Sequence, residues 1–478
     1  MNSGVQVPEN SDGKRSTSAL GRTVVADALR EVDPVGARGA LSETSWRQAY
    51  ILHFRRLVEA GLDSREAALT IARNGLDSLY RQMTYDGGPI GDASHDGDDL
   101  GTRTVEGAGE AQRDLVVPYR GNRLTGDDLH RQLDRWIDAG IVEPSFAEAV
   151  RAVMANPDWL DLSDKRMVVL GAGAEMGPLI SLLRWGADVV AVDLPRPAVW
   201  ERVLGVAARH AGTLTVPVHS ADRNRDTKDL AQGAGADIIH DLPRVTAWLT
   251  AIEGDLVLGN YVYADGATNL RVSMAVDALT RSLIQARPET ALAFLATPTD
   301  VFAVPAEAVA EADRRFRDRT WLRRPVRFLS GGRLLSRNYP PGADPGVHDA
   351  LVPQQGPNYA LAKRLQRWRA ALARAEGTTV SLNVAPATRT RSVVRNRALA
   401  AAYSGAHRFG IEIFEPATSN TLMAALLVHD LRVAPKSHDH PWRDEAYAAA
   451  HGGLWRQAYS PRSALGLAVF LGLGSTRG

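Results

Sequence analysis

Three glycines follow a short apolar segment near the middle of the chain. Gly171, Gly173 and Gly177 come directly after residues 168–170, in the order Gly-x-Gly-x-x-x-Gly. Between a strand and a helix, such glycines form a tight turn whose backbone approaches a pyrophosphate, and the helix N-terminus faces the negative charge. The sequence therefore predicts that a nucleotide binds at this turn. The residues between the last two glycines belong to the same predicted site: Ala174, Glu175 and Met176.

An acidic residue ends the next apolar segment. Asp193 lies 22 positions after Gly171, close to the spacing of about 20 at which a carboxylate binds ribose hydroxyls. It favours NAD over NADP, because its charge would repel a 2′-phosphate, although Arg196 is placed to reach such a phosphate. The same order of strand, glycine turn, helix and acid also binds S-adenosylmethionine in methyltransferases. This half of the pattern therefore leaves both ligands open.

Small or polar residues stand at the ends of three further predicted strands. Asp222 follows the third strand, where it would either meet an adenine edge or act as an ordinary turn residue. Gly259 and Asn260 come after the fourth strand, and Thr297 follows the fifth. In an open α/β sheet, the residues just beyond the carboxyl ends of the strands line the ligand crevice. We therefore expect these residues in the binding crevice.

A tyrosine and a lysine lie four positions apart in the segment Asn-Tyr-Ala-Leu-Ala-Lys at 358–363. On a helix, Tyr359 and Lys363 share one face. A lysine ammonium close to a phenol lowers the pKa of the phenol from about 10, which makes it a better proton donor or acceptor near neutral pH. The pair therefore predicts a general acid/base. The alternative is an aromatic residue and a solvated lysine that share a helix face by chance.

The region from residue 166 to about 432 resembles the short-chain dehydrogenase/reductase family. The resemblance lies in the glycine turn, the Tyr-x-x-x-Lys helix and a following strand that ends at Pro386 and Thr388. It implies that Tyr359 is the general acid/base. It also implies that Lys363 lowers the pKa of this tyrosine and holds the nicotinamide ribose.

The resemblance assigns roles to further residues. Thr297 would orient the substrate in place of a serine, and Asn269 would occupy the position of a helix asparagine. Pro386 and Thr388 would lie near the nicotinamide. The chain also departs from the family pattern, because its close-spaced glycines come first and Ala387 stands where a glycine is usual. A further departure is the long insertion between Thr297 and the Tyr-x-x-x-Lys helix.

These residues together predict an NAD(P)-dependent oxidoreductase that transfers a hydride between nicotinamide and a carbonyl or alcohol. Two alternatives stay open. One is an S-adenosylmethionine-dependent methyltransferase, although that chemistry does not require the Tyr-x-x-x-Lys segment or the Pro-Ala-Thr turn. The other is a non-redox protein of the same fold, either a lyase or cyclase or an inert binding protein. No metal site is predicted.

Short apolar segments alternate with helical ones after residue 166. This alternation of strands and helices predicts an α/β fold with a Rossmann-type doubly wound parallel sheet. The predicted strands are Met167–Leu170, Asp188–Val192, Leu214–Val218, Asp255–Leu258, Ala291–Leu295 and Val380–Val384. The segment 303–355 is rich in arginine and proline and interrupts the alternation of strands and helices, so we expect an insertion or lid there.

The rest of the chain divides by composition. Residues 1–40 are polar and are predicted to be disordered. Residues 41–160 are predicted to form a mainly helical region with a flexible loop at 87–109. Residues 161–435 are predicted to form the nucleotide-binding domain, followed by a C-terminal extension at 436–478.

The composition limits the partners of the protein. The chain has 56 basic and 55 acidic residues, so there is no overall attraction to nucleic acid or to an anionic membrane. It has no cysteine, which excludes disulfides and thiolate metal sites. The apolar run Ala464–Leu473 is shorter than the about 20 residues that cross a bilayer. We expect a soluble cytoplasmic protein with a small-molecule substrate, and the resemblance adds a homo-oligomer, a dimer or tetramer formed through the helices that flank the sheet.

Overall fold

Helices form most of the N-terminal part of the chain in the computed structural model, which describes residues 3–9, 13–94, 99–219, 229–318, 323–435 and 437–475. In chain order the elements are β1 (Val5–Gln6), α1 (Thr17–Leu29), α2 (Pro34–Ser42), α3 (Trp46–Gly61), α4 (Arg65–Gln82), β2 (Thr84–Tyr85) and β3 (Gly88–Pro89). The predicted disorder of residues 1–40 is wrong for α1 and α2. Leu20, Val24 and Leu29 of α1 are fully buried. The Ser16 hydroxyl caps this helix by accepting the Ala19 N–H.

A strand lies inside the loop that was predicted to be flexible. The next elements are β4 (Gly101–Glu106), β5 (Val117–Tyr119), β6 (Asn122–Leu124), α5 (Gly126–Asp138) and α6 (Pro144–Ala155). The prediction of a flexible loop at 87–109 is wrong for β4, which pairs antiparallel with residues 213–218. Its backbone is ordered by this pairing, because the N–H and C=O groups on the side that faces β9 gain partners there.

The remaining strands form the centre of the molecule. In chain order they are β7 (Arg166–Leu170), β8 (Asp188–Val192), β9 (Thr213–Val218), β10 (Leu256–Asn260), β11 (Ala291–Ala296), β12 (Val301–Val304), β13 (Gly346–Asp349) and β14 (Val380–Val384). The main sheet has the order β14-β11-β10-β7-β8-β9-β4. Within the described residues, β4 is the one antiparallel member of this sheet. Each of the six predicted strands is present within two residues, and the predicted α/β fold is confirmed.

The order of the strands reverses at β7. The chain continues through β8 and β9 on one side, and through β10, β11 and β14 on the other. Leu170, the last residue of β7, lies opposite Val192 on one neighbour and Asn260 on the other. In open α/β sheets such a reversal opens a crevice beyond the carboxyl ends of the strands. The glycine turn begins at this point.

Helices cover both faces of the sheet. From residue 179 they are α7 (Leu179–Trp185), α8 (Pro197–Ala207), α9 (Leu230–Gly233), α10 (Leu242–Thr250), α11 (Gly266–Ala286), α12 (Ala306–Arg317), α13 (Arg323–Leu329), α14 (Pro357–Ala375), α15 (Arg391–Arg395), α16 (Arg397–Ala406), α17 (Pro416–Val433), α18 (Pro441–Ala446) and α19 (Pro461–Ser475). Met167 and Val169 of β7 pack with α7, α8 and α17, whereas Val168 and Leu170 pack with α10, α11 and α14. Alternate residues of the strand thus enter opposite cores, as a strand covered on both faces requires.

The N-terminal helices cover the outer side of α11 and α14. Trp368 of α14 packs against Gly75 of α4, where an added Cβ would overlap the Trp368 ring. The Arg369 guanidinium donates two 2.8 Å hydrogen bonds to Asp277 of α11, and the Tyr80 hydroxyl of α4 donates to the same carboxylate at 2.9 Å. These sheet-flanking helices are therefore in contact with the chain's own N-terminal region.

The predicted insertion contains part of a separate two-stranded sheet, and the predicted C-terminal extension contacts the main sheet. Within 303–355, β13 pairs antiparallel with β12. After α18, the Ala450 N–H donates to the Val384 carbonyl of β14 at 2.9 Å, and His451 and Trp455 are fully buried. Within the described ranges, no helix is both long enough and apolar enough to cross a membrane.

Candidate functional site

The glycine turn follows β7 at the carboxyl edge of the sheet. Gly171 has a φ of +84°, a left-handed conformation that glycine adopts without the steric cost of a Cβ. Its N–H donates to the Val192 carbonyl at 2.8 Å. Within the turn, the Ala174 N–H donates to Gly171 and the Gly177 N–H donates to Ala174, at 2.9 and 3.2 Å. An added Cβ at Gly171 would lie 3.0 Å from the backbone of Tyr261, so the residue after β10 packs directly on the turn.

The second glycine and the predicted ribose-binding acid are in contact. The Gly173 N–H donates to one carboxylate oxygen of Asp193 at 2.7 Å, and the Leu194 N–H donates to the other at 2.7 Å. A guanidinium N–H of Arg202 donates to the Gly173 carbonyl at 2.9 Å. Each carboxylate oxygen keeps a lone pair for a further donor such as a ribose hydroxyl. Asp222, the predicted adenine contact, lies outside the described residues.

Glu175 connects the glycine turn to the segment after β14. One carboxylate oxygen lies 3.0 Å from Nε of Arg391, and the other accepts the Arg391 N–H at 2.8 Å. The Asn420 amide of α17 donates to the Glu175 carbonyl at 3.3 Å. The turn thus carries a carboxylate that an arginine from across the crevice neutralises.

Side chains fill the space beside the turn. Met176 and Tyr261 line a cavity of about 10 Å³, together with Leu295 of β11 and Asn383 of β14. Gly259 makes room for the tyrosine, because an added Cβ there would lie 2.5 Å from the Tyr261 ring. Gly259 therefore supports the packing of Tyr261 at the crevice, a role that its position in the sequence did not reveal.

Tyr359 and Thr297 come together at the carboxyl end of β11. The Thr297 hydroxyl lies 2.9 Å from the Thr299 hydroxyl and near enough to the Tyr359 phenol to affect its pKa. The Tyr263 ring packs edge-on against Tyr359 with 6.2 Å between ring centroids. Burial raises the pKa of Tyr359 well above its ordinary value, and the Thr297 hydroxyl offsets part of that rise. The prediction of a lowered phenol pKa beside Lys363 is therefore wrong, and the phenol is protonated at neutral pH.

Lys363 lies one helical turn after Tyr359 on α14. Its Nζ donates to the Leu295 carbonyl and to the Gln366 amide oxygen, both at 3.2 Å. Burial lowers the pKa of Lys363 to about 8, although the charge of Asp300 opposes this shift. At neutral pH the amine is thus a desolvated ammonium at the end of β11.

Gln366 links Lys363 to Asn260. Its amide N–H₂ group lies 3.5 Å from the Asn260 side-chain oxygen, while its own oxygen accepts from Lys363. The three side chains form a polar connection from α14 to the end of β10, and both amide side chains are buried. Sequence reasoning missed Gln366, although its position three residues after Lys363 places it on the same helix face.

Asn269 holds the loop between β10 and α11, which contacts the site. Its side-chain oxygen accepts the Ala264 N–H at 3.0 Å, and the side chain is buried at the start of α11. This bond holds the loop between β10 and α11, which carries Tyr263. Because Tyr263 packs against Tyr359, Asn269 is a positioning residue.

The predicted nicotinamide contacts lie in the segment after β14. The Thr388 hydroxyl donates to the Pro386 carbonyl at 2.8 Å and lies 2.6 Å from the Ser419 hydroxyl of α17. Thr388 is buried. Its hydroxyl thus serves the fold of this segment, which also carries Arg391.

A buried ion-pair network lies next to the site. It was not predicted from the sequence. Asp300 bonds to Arg367 at 2.8 Å and to Arg364 at 3.3 Å. Arg367 also donates to Glu445 of α18 at 2.6 Å. Burial opposes ionisation of Asp300, but the Arg364 and Arg367 guanidiniums hold its pKa below the usual value. The two arginines were recognisable as charged residues on the inward face of an amphipathic helix.

Comparison with known proteins gives similarity to solved structures. No protein-family model and no curated protein matches the chain. A short-chain type dehydrogenase/reductase from Mycobacterium marinum is 14% identical over 62% of this chain and 98% of its own, with a TM-score of 0.33. An oxidoreductase of the short-chain dehydrogenase/reductase family from Burkholderia thailandensis is 14% identical over 61% and 92%, also with a TM-score of 0.33. A thiolation-reductase di-domain from an archaeal non-ribosomal peptide synthetase is 12% identical over 57% and 54%, with a TM-score of 0.29.

Proposed function

We propose that the chain is an NAD(P)-dependent oxidoreductase that reduces a carbonyl group, with Tyr359 as the proton donor. The proximity of the Thr297 hydroxyl to the Tyr359 phenol, at the sheet edge that also carries the glycine turn, supports this proposal most directly. Two adjacent hydroxyls at that place are arranged to hold a carbonyl oxygen and to protonate it.

The glycine turn fits a dinucleotide at its adenosine end. An added Cβ at Gly173 would lie 3.1 Å from the Asp193 carboxylate and 2.9 Å from the Arg202 guanidinium, so glycine lets both charged groups approach the turn. Asp193 would bind the ribose hydroxyls, which favours NAD, while Arg196 and Arg202 are the cations available to a 2′-phosphate. When bound, the cofactor supplies the hydride.

The protonation states favour reduction. Because burial raises the pKa of Tyr359, its phenol carries a proton at neutral pH and is a donor in the ground state. Oxidation of an alcohol would require the phenolate, which burial disfavours. Lys363, whose pKa is about 8, is charged near pH 7 and would hold a ribose hydroxyl. Thr297 would hold the carbonyl oxygen.

A second candidate is a non-redox protein of the same fold. Glu175 adds a negative charge to the turn that would receive a diphosphate, although Arg391 neutralises it. Met176 and Tyr261 leave a cavity of only about 10 Å³ beside that turn. Both features favour a protein that binds a ligand weakly or in a different pose.

The test begins with binding and continues with turnover. Thermal shift and calorimetry with NAD, NADP, their reduced forms and S-adenosylmethionine identify the ligand. Turnover of a panel of aldehydes and ketones is then compared between the wild type and Tyr359→Phe. We expect Tyr359→Phe to lower kcat by about 10²–10⁴-fold, with the cofactor Kd unchanged. Tyr85→Phe, which loses only a hydroxyl bonded to the His240 carbonyl, is the matched control.

Three outcomes would contradict the proposal. Stabilisation by S-adenosylmethionine alone would indicate a methyltransferase. Cofactor binding without turnover of any carbonyl would favour the non-redox candidate. Full turnover by Tyr359→Phe would exclude this tyrosine as the proton donor.

A further inference from the structure

The helix α19 exposes apolar side chains on its outer side. Its sequence carries a single charged residue, Arg462, near its start. The inner side packs closely on α16, where an added Cβ at Gly405 would overlap the Ala468 carbonyl. On the outer side, Phe470 is 73% exposed and Leu473 is 54% exposed. Because a helix at a water-facing surface normally presents polar residues there, this side is suited to an apolar environment.

A strongly basic segment adjoins this helix in the fold. Residues 314–333 contain eight arginines and one aspartate, a net charge of +7, whereas the whole chain carries +1. The side chains of Arg314 and Arg317 are 64% and 67% exposed, and they lie 3.8 and 3.4 Å from the carboxylates of Glu311 and Asp313 on the same helix. At the end of α13, Phe328 and Leu329 are 85% and 83% exposed. Exposed arginines and two exposed apolar side chains thus lie within one short stretch of chain.

The basic segment and α19 meet at one small apolar cluster. The Arg327 guanidinium of α13 lies 5.8 Å from the Phe316 ring centroid, and the Phe316 and Tyr459 rings pack edge-on at 5.8 Å. Tyr459 lies two residues before α19. The Leu335 N–H donates to the Ser463 carbonyl in the first turn of α19 at 3.3 Å. The exposed residues of α12, α13 and α19 therefore extend from neighbouring points of the surface.

We propose that α12, α13 and α19 together form a docking surface for an anionic phospholipid membrane. The surface consists of Arg314, Arg317, Arg327, Phe328, Leu329 and Phe470. Peripheral membrane sites combine basic side chains, which bind anionic headgroups, with apolar side chains, which enter the boundary of the acyl chains. The contact is peripheral, and it does not rest on the proposed oxidoreductase activity.

The charge distribution favours a membrane over two other occupants. A second copy of this chain in a two-fold contact would place two segments of +7 against each other, which is repulsive. A single-stranded nucleic acid could stack its bases on the exposed phenylalanines, but it would leave the exposed aliphatic side chains of Leu329 and Leu473 without an apolar partner. An anionic lipid surface satisfies both the arginines and the apolar side chains.

The first test measures binding to vesicles. The full chain is sedimented with vesicles of phosphatidylcholine and of phosphatidylcholine mixed with phosphatidylserine. We expect binding to increase with phosphatidylserine and to decrease with added NaCl. At low salt, the combined substitution Arg314→Gln, Arg317→Gln and Arg327→Gln is expected to weaken binding about 100-fold, because each basic residue near the surface contributes about five-fold.

A matched control separates position from total charge. The combined substitution Arg30→Gln, Arg113→Gln and Arg131→Gln removes the same charge from arginines that are also exposed. We expect this control variant to bind vesicles with an affinity close to that of the wild type. Equal losses in the two triple variants would contradict a localised docking surface.

The apolar part has its own test. Phe328→Ser with Leu329→Ser, and separately Phe470→Ser, should weaken vesicle binding at every salt concentration. Leu52→Ser, at a residue that is 65% exposed on α3, should leave it unchanged, and circular dichroism verifies that each variant is folded. The proposal fails if the chain does not bind phosphatidylserine vesicles. It also fails if Phe470→Ser abolishes only self-association in light scattering, or if the arginine variants lose only RNA binding.

Discussion

Lys363 places an ammonium against two neutral acceptors, the Leu295 carbonyl and the Gln366 amide oxygen. These acceptors recover part of the hydration that burial removes, and the pKa of the amine is lowered to about 8. In the unfolded chain the pKa of a lysine returns to about 10.4. Between these two values the unfolded state binds more protons than the folded state. Stability therefore rises with pH in this interval, because the folded protein no longer has to bury a charge.

The pH dependence of stability tests this environment. Relative to Lys363→Met, we expect the free energy of unfolding of the wild type to rise between about pH 7 and about pH 10, by on the order of 1–3 kcal/mol. Denaturant titrations of both proteins across this range measure the difference. Lys165→Met, which removes a surface ion pair with Asp255, is the reference. A difference that stays constant with pH would contradict a buried amine at position 363.

Among the elements, the contact of α4 with α14 depends on one glycine. An added Cβ at Gly75 would overlap the Trp368 ring, inside a contact between buried helices. We expect Gly75→Ala to lower the free energy of unfolding by about 1–3 kcal/mol, the usual cost of overpacking a core. Gly39→Ala on α2, where an added Cβ meets nothing within 4 Å, should instead raise it by about 0.5–1 kcal/mol. Denaturant unfolding measures both changes, and a shift of the same sign in both variants would contradict the close approach of the two helices.

In the molecule as a whole, the features that the sequence predicts are those that a local pattern determines. The buried strands are of this kind, because a strand covered on both faces needs an unbroken apolar run. β4 was missed because it is half polar and becomes a strand only through its partner β9. The position of Tyr261 in the crevice and the raised pKa of Tyr359 depend on packing between distant segments. Residue spacing carries no information about such packing.

Three distant parts of the chain meet at Glu143, the residue that precedes α6. Its carboxylate accepts from His451 at 2.9 Å and from Arg456 at 2.8 and 2.6 Å. Arg456 also donates to Glu311 of α12 at 2.9 Å. The N-terminal region, the insertion and the C-terminal segment are thus held together by one buried group of charges. Although burial opposes ionisation, the bonds from His451 and Arg456 lower the pKa of Glu143 to about 2.

Because the pKa of Glu143 is lowered in the folded protein, its ionised carboxylate stabilises the fold at neutral pH and stops doing so in acid. Its contribution to stability is present above the unfolded pKa of about 4.3 and is lost as the pH falls from there toward the folded value. We expect Glu143→Gln to lower the free energy of unfolding at pH 7 by about 3–5 kcal/mol, because it leaves Arg456 buried without its counter-charge. The difference in free energy of unfolding between Glu143→Gln and the wild type should become smaller as the pH falls below about 5.

Glu59→Gln is the control. It breaks an exposed ion pair with Arg55 and should change the free energy of unfolding by less than about 1 kcal/mol. Urea unfolding at several pH values measures all three proteins, and a difference between Glu143→Gln and the wild type that did not become smaller in acid would mean that Glu143 is not ionised in the folded chain.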